Sequence, residues 1–216
     1  SDDLDVIFLT ETWASDDILN SELFPVDYQV FRCDRSSGVG GGVLIGVKSR
    51  FGCKLMEFEI DNFLNDYKVD VICLRLHFRG LNFIVIVTYI PPSTPSLVYE
   101  HLFHKLELTD LFNDKFIFAG DFNVPLLNEV ACSKSLSITN FISSVGAVQI
   151  NEVKNVNNRC LDLIFCSKDV TYSLGHSEIT LVQEDSHHPA LLFDVQFPSE
   201  RFKPFVVSNS TSYDFK

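Results

Sequence analysis

KFIFAGDFNVP, residues 115–125, decides how this chain is read. Phe116, Ile117, Phe118 and Ala119 make an unbroken apolar run, which reads as a strand buried on both faces. Gly120 ends the run, and Asp121 and Asn123 follow with Phe122 between them. In extended chain, residues two apart project to one side, so a carboxylate and an amide would stand together where a core strand stops. The carboxylate can accept a proton from water while the amide hydrogen-bonds a phosphate oxygen. An Asx turn before Pro125 accounts for the same letters.

Nine further stretches share the strand signature of Val, Ile and Phe bounded by turn residues: 5–10, 28–33, 42–48, 53–59, 69–76, 82–89, 160–167, 178–183 and 190–197. Helical patterns are fewer. Ser15 is placed to cap a helix over DDILNSELF. Residues 95–112 carry Leu97, Leu102, Leu106 and Phe112 near a 3.6 period behind Pro95, and 133–146 ends on a capping Gly146. Many strands with a few interposed helices predict an α/β domain: two sheets packed face to face with helices outside. Residues 1–198 are expected to form that domain, and 199–216 to be a tail or connector.

The 216 residues are 46% hydrophobic and include 20 Phe, enough for a thick core and too apolar for a disordered chain. No stretch approaches the roughly 18 apolar residues that span a bilayer, and the acidic start shows neither the basic stretch nor the cleavage site of a signal peptide. An intracellular protein is expected. The six cysteines lack CxxC spacing, and several sit in apolar runs, so they read as reduced thiols rather than a zinc site. The formal charge of −12 argues against a protein living by nonspecific phosphate contacts. It leaves room for an enzyme that meets nucleic acid through a metal and one basic rim.

Polar residues interrupt buried strands at four more places. Glu11 follows DVIFLT and offers a hard oxygen ligand for Mg²⁺, unless it is an ordinary surface glutamate. Asp162 lies amid Leu161, Leu163, Ile164 and Phe165, where an ionised carboxylate needs a partner. That partner is a histidine whose tautomer it would fix, or Arg159, or a lysine. Asp185, His187 and His188 crowd the start of the last strand, either as loop residues or as acid/base groups working with Asp162. Tyr89 ends an apolar strand before two prolines, placed to donate to a phosphate oxygen or to pack at a sheet rim.

TETW (10–13), YIPP (89–92), GDFN (120–123), LDLIF (161–165) and a final DSHHP (185–189), in that order, resemble the endonuclease/exonuclease/phosphatase superfamily. They are most similar to the apurinic-type endonuclease domains of non-LTR retrotransposons, as is the arginine-then-glycine stretch RSSGVGGGVLIGVKSRF (35–51). The resemblance implies a DNase I-like four-layer sandwich of two mostly antiparallel sheets that cleaves a phosphodiester with Mg²⁺ or Mn²⁺. It implies Glu11 and Asp185 as metal ligands, Asp121 as the base for the attacking water and Asn123 as a phosphate contact. Asp162 would orient the catalytic histidine, taken as His187 with His188 the alternative if the loop register shifts. Tyr89 and His188 would bind substrate, as would Arg35. It also implies DNA as substrate, a reverse transcriptase domain in the parent protein and a nuclear setting. Two departures weaken the expected activity. The family begins one strand earlier, and its usual Ser-Asp-His is written Asp185-Ser186-His187. A phosphatase of the same superfamily and an inactive element-derived fragment are the competing readings.

Overall fold

The computed structural model describes residues 4–35, 40–124, 132–178 and 186–196. Their strands are β1 (Val6–Thr10), β2 (Tyr28–Cys33), β3 (Val43–Lys48), β4 (Gly52–Leu55), β5 (Asp70–Phe78), β6 (Leu81–Tyr89), β7 (Lys115–Asp121), β8 (Ala147–Gln149), β9 (Asp162–Ser167), β10 (Thr171–His176) and β11 (Leu191–Gln196). Their α-helices are α1 (Asn20–Leu23), α2 (Asn62–Asp66), α3 (Ser96–Glu107) and α4 (Ser133–Ser144).

The long apolar strands β5, β6, β7 and β9 sit inside a six-stranded sheet of order β4-β5-β6-β7-β9-β8. Only its β6–β7 pair is parallel, and α3 lies in the crossover between those strands, as a parallel connection requires. A second, antiparallel sheet has the order β1-β3-β2, and β10 and β11 form a separate antiparallel pair.

Alternate residues of the central strands face opposite ways, which builds two cores. One face, with Val71, Cys73, Ile84, Ile86, Phe116, Phe118 and Phe165, packs on α3 and α4. The other, with Ile72, Leu74, Val85, Val87, Ile117 and Ile164, packs on Val43, Ile45 and Val47 of β3 and on Phe193 and Val195 of β11. The phenylalanines concentrate on the helical side, where Phe103 and Phe141 stack with centroids 4.6 Å apart. Burying each such side chain contributes about 1.5–3 kcal/mol. Phe24, just after α1, covers Ile7 and Leu44 on the outer face of the smaller sheet, which completes the four layers.

Two expectations change, and three elements are added to those expected. The expected strand over 53–59 stops at Leu55, and Met56 and Phe58 turn to pack against the helical-side core. The first helix begins at Asn20 rather than behind Ser15, whose carbonyl instead closes a turn onto the Ile18 amide. β8 and α2 have too few residues to show a period, and β10 (TYSLGH), six residues long, is largely exposed and lacks an apolar alternation. The strand expected over 178–183 lies outside the described residues beyond Glu178, as does the segment 199–216. All six cysteines are free thiols, and Cys73, Cys160 and Cys166 are buried as expected.

Candidate active site

Sheet register assembles half of the site. Asp70 pairs with Tyr89 across β5–β6, Tyr89 with Asp121 across β6–β7, and Asp121 with Asp162 across β7–β9. Four polar residues thus form one row across four adjacent strands, roughly 14 Å long at the usual strand spacing. The row continues the strand faces carrying Ile72, Val87, Ala119 and Ile164, so it looks into the cleft between the two sheets. Beside the row, Gly120 lets β7 lie close against β6, because a Cβ there would be 2.1 Å from the Thr88 carbonyl oxygen.

Asp121 is 2% exposed. Burial, reinforced by the Asp162 carboxylate, pushes its pKa up to about 7, against the opposing pull of His188 and the hydrogen bonds from Asn123. Asn123 does not continue the strand. It turns left-handed at φ 49°, and its backbone amide donates to Asp121 Oδ1 at 3.0 Å. Its side-chain Nδ2 donates to Asp121 Oδ2 at 2.8 Å and to the Ile90 carbonyl at 2.9 Å. The Asx turn and the carboxylate–amide pair are therefore one structure. The two side chains meet through this turn, not through strand alternation.

The imidazole beside Asp162 belongs to His188, whose Nδ1 lies 3.0 Å from Asp162 Oδ2. Its Nε2 lies 3.8 Å from Asp121 Oδ2, beyond hydrogen-bond reach, so both groups edge the same small space. Asp121, Asp162 and His188 present ligand atoms within 4.8 Å of one another. His187, the histidine expected from the motif, contacts Asn157 Nδ2 through Nδ1 at 3.1 Å, and its carbonyl accepts from Asn155 at 3.0 Å. The turn at 155–158 also takes the Ser186 carbonyl onto the Val156 amide, and this anchorage fixes which histidine faces the cleft.

Glu11 reaches the cleft from the opposite sheet, just past the end of β1, in a left-handed conformation at φ 52°. Its Oε2 accepts from the Gly41 amide and from Trp13 Nε1, each at 2.6 Å, and the Tyr89 hydroxyl also donates to the carboxylate. Burial alone would raise the Glu11 pKa. These three donors and the nearby Arg35 charge outweigh it, leaving the carboxyl below its ordinary value. Tyr89 moves the other way, with burial and the adjacent Glu11 pushing the phenol well up, so it stays a protonated donor.

Arg35, expected as a substrate contact, is occupied inside the protein. Its Nη2 bonds Asp70 Oδ2 at 2.8 Å and the Lys68 carbonyl at 2.6 Å, and Nη1 bonds the Gly40 carbonyl at 3.0 Å. The buried Asp70 carboxylate draws the guanidinium down from the rim. Asp185, expected as a metal ligand, lies outside the described residues. Glu11, Tyr89, Asp121, Asn123 and Asp162 do converge. Asp70 and Trp13 escaped sequence reading. Asp70 interrupts the apolar VDVICLRL as Asp162 interrupts LDLIF, and that signal pointed to it.

Hard carboxylate oxygens with one imidazole suit a divalent cation. Asp121, buried and crowded by Asp162, has a raised pKa that suits proton exchange, whereas Glu11 across the cleft, held below its ordinary pKa, offers the cation a hard oxygen. A two-sheet cleft edged by three carboxylates, a phenol and an acid-held imidazole defines a nuclease/phosphodiesterase type of hydrolase. The chain belongs to the Endonuclease/Exonuclease/phosphatase family, whose profile matches residues 1–183. Comparison with curated protein sequences gives no significant match. Among solved structures, an AP endonuclease from Archaeoglobus fulgidus is similar at TM-score 0.62 and 16% identity, covering 89% of this chain and 88% of that one. The human Nocturnin catalytic domain with bound sulfate is similar at TM-score 0.61 and 18% identity, covering 89% and 81%. The endonuclease domain of TRAS1, a telomere-specific non-LTR retrotransposon, is similar at TM-score 0.59 and 16% identity, covering 77% of each chain. At these identities the likeness is one of fold.

Proposed function

We propose that this chain is a divalent-metal-dependent DNA-nicking endonuclease of the non-LTR retrotransposon type, with residues 1–198 as its catalytic domain. One observation carries the reading: Asp121, Asp162 and His188 close on one space while Glu11 stands across the cleft, joined to the same row through Tyr89. Glu11, ionised and fixed by three donors, is the carboxylate assigned to Mg²⁺ or Mn²⁺. When bound, the ion neutralises charge on the nonbridging oxygens and the leaving oxyanion.

The protein's own groups do the rest. Asp121 takes a proton from the attacking water, and its raised pKa suits a base working near neutral pH. Asn123 holds both Asp121 oxygens, so the carboxylate is aimed before substrate arrives. Asp162 fixes the His188 ring by accepting from Nδ1–H, which leaves Nε2 on the cleft side to donate to a phosphate oxygen once the ring carries its second proton. Tyr89, kept protonated, donates alongside. His188 takes the catalytic role that the motif gave to His187.

The −12 charge favours a second reading, a phosphatase acting on a small soluble ester. The motif wording at 35–51, 89–92 and 161–165 and the endonucleases among the fold neighbours support the nuclease. Those motifs also carry the proposals of a reverse transcriptase partner in the parent protein and of a nuclear setting. The test is one preparation assayed with Mg²⁺ against supercoiled plasmid and against a soluble phosphomonoester. Conversion of plasmid to open circles that stops with EDTA is expected. Turnover of the monoester alone would reassign the site to phosphatase chemistry.

A further inference from the structure

Gly40, Gly41 and Gly42 all have left-handed φ, at 86°, 80° and 85°. Glycine adopts such a run without the strain a side chain would bring. Here two neighbouring amides hold two different carboxylates: Gly41 donates to Glu11 Oε2 at 2.6 Å, and Gly42 donates to Asp70 Oδ2 at 2.9 Å. The turn therefore ties the carboxylate assigned to the metal to a buried carboxylate at the far end of the row.

Arg35 closes the arrangement. Its guanidinium spans the Gly40 carbonyl and Asp70 at once, and it lies over the Tyr89 ring with Cζ 5.3 Å from the centroid. It packs so closely under the turn that a Cβ on Gly41 would come within 1.9 Å of Cζ. Arg35 thus touches both supports of Glu11, the glycine turn and the phenol. Asp70, 5% exposed, has the guanidinium as its counterion.

We infer that Arg35 and Asp70 are positioning residues that set how tightly Glu11 holds a divalent cation. This rests on the proposed function only in assigning the cation to Glu11. A planar fork is required, because only a guanidinium can bond two carbonyls and a carboxylate at once while its centre sits over an aromatic ring. Lysine keeps the charge but cannot make that span.

Trp13 supplies the readout. It is the only tryptophan, and its indole N–H sits on Glu11 Oε2, so its fluorescence reports a cation arriving there. The experiment titrates Mg²⁺ into the full chain and into R35A, R35K and D70N, following Trp13 emission with parallel thermal melts. A saturable change is expected in the parent chain. The half-saturating Mg²⁺ concentration should rise at least about tenfold in R35A, R35K and D70N, with a matching loss of the Mg²⁺-induced rise in melting temperature. Half-saturation within twofold of the parent in folded D70N or R35A overturns the inference, as does full parental affinity in R35K. R35K and D70N carry the test if R35A does not fold. A parent chain with no Mg²⁺ response also overturns it. A parent that binds Mg²⁺ at Trp13 yet cuts no phosphodiester sinks the hydrolysis reading and leaves the clamp standing.

Discussion

The two sides of the cleft are built by different means. On the six-stranded sheet, Asp70, Tyr89, Asp121 and Asp162 take their places from strand register, and their backbones are bonded within the sheet. Opposite and above them, Glu11 and His188 stand beyond regular strands. Glu11 is placed by its left-handed backbone and by accepting from the Gly41 amide, and His188 by its Nδ1 contact with the Asp162 carboxylate. The sheet side fixes spacing, because register admits no intermediate positions. The loop side fixes aim, because each hydrogen bond sets the direction of one carboxylate or ring.

If the sheet side holds the base, the largest loss comes from Asp121→Asn, which keeps shape and removes proton acceptance. Nicking should fall on the order of 10²–10⁴-fold, measured as plasmid conversion at saturating Mg²⁺. Retention of more than a tenth of the rate rules Asp121 out as the base. Next comes the choice between histidines on the loop side. His188→Asn should cost roughly 10²-fold or more, whereas His187→Asn should cost less than about tenfold. The reverse order would show that the loop turns its other histidine inward when DNA binds.

A third test strikes the sheet alone. In Gly120→Ala, the added methyl meets a backbone carbonyl of the neighbouring strand, which cannot move aside as a flexible side chain would. Destabilisation of roughly 1–3 kcal/mol or more is expected from denaturant unfolding. A neutral result would mean that β6 and β7 separate more easily than register implies.

The Asp121 carboxyl gives a smaller effect that pH can read. Its folded pKa, about 7, lies above the ordinary 3.8, so the native state holds that proton more tightly than the unfolded chain does. Its contribution to stability is complete below about pH 4 and is lost as pH rises through about 7. In EDTA, the stability of Asp121→Asn relative to the parent should therefore climb between pH 4 and pH 7. A flat difference would place Asp121 in a wetter or less crowded setting. The smallest expected change is Trp13→Phe. It removes one of three donors to Glu11 and should cost about 0.5–1.5 kcal/mol of metal binding, seen as a few-fold rise in the Mg²⁺ needed for nicking.

Much of the sheet side was legible before the structure. An acid that interrupts a buried apolar run is conspicuous, as at Asp121 and Asp162, because burial demands a reason for it. Asp70 carried the same signal. The loop side was legible only in its residue types. The sequence offered His187 and His188 side by side, and nothing local distinguishes adjacent imidazoles in a turn. The choice came from Asn155 and Asn157, some 30 residues upstream, which anchor His187 and leave its neighbour to Asp162. Arg35 misled for a similar reason: an arginine before glycines reads as a phosphate contact until a buried carboxylate 35 positions away is seen to hold it.

Alternating and continuous apolar runs were enough to determine a two-sheet α/β sandwich, because a strand's buried faces must be covered by something. They also determined that carboxylates stand at strand ends, because a core does not tolerate them within. Only the tertiary structure decided that Asp70, Tyr89, Asp121 and Asp162 share one row, which histidine lies against Asp162 and which groups hold Arg35. Those outcomes depend on register and on hydrogen bonds between segments far apart in the chain, and no local pattern of residues encodes either.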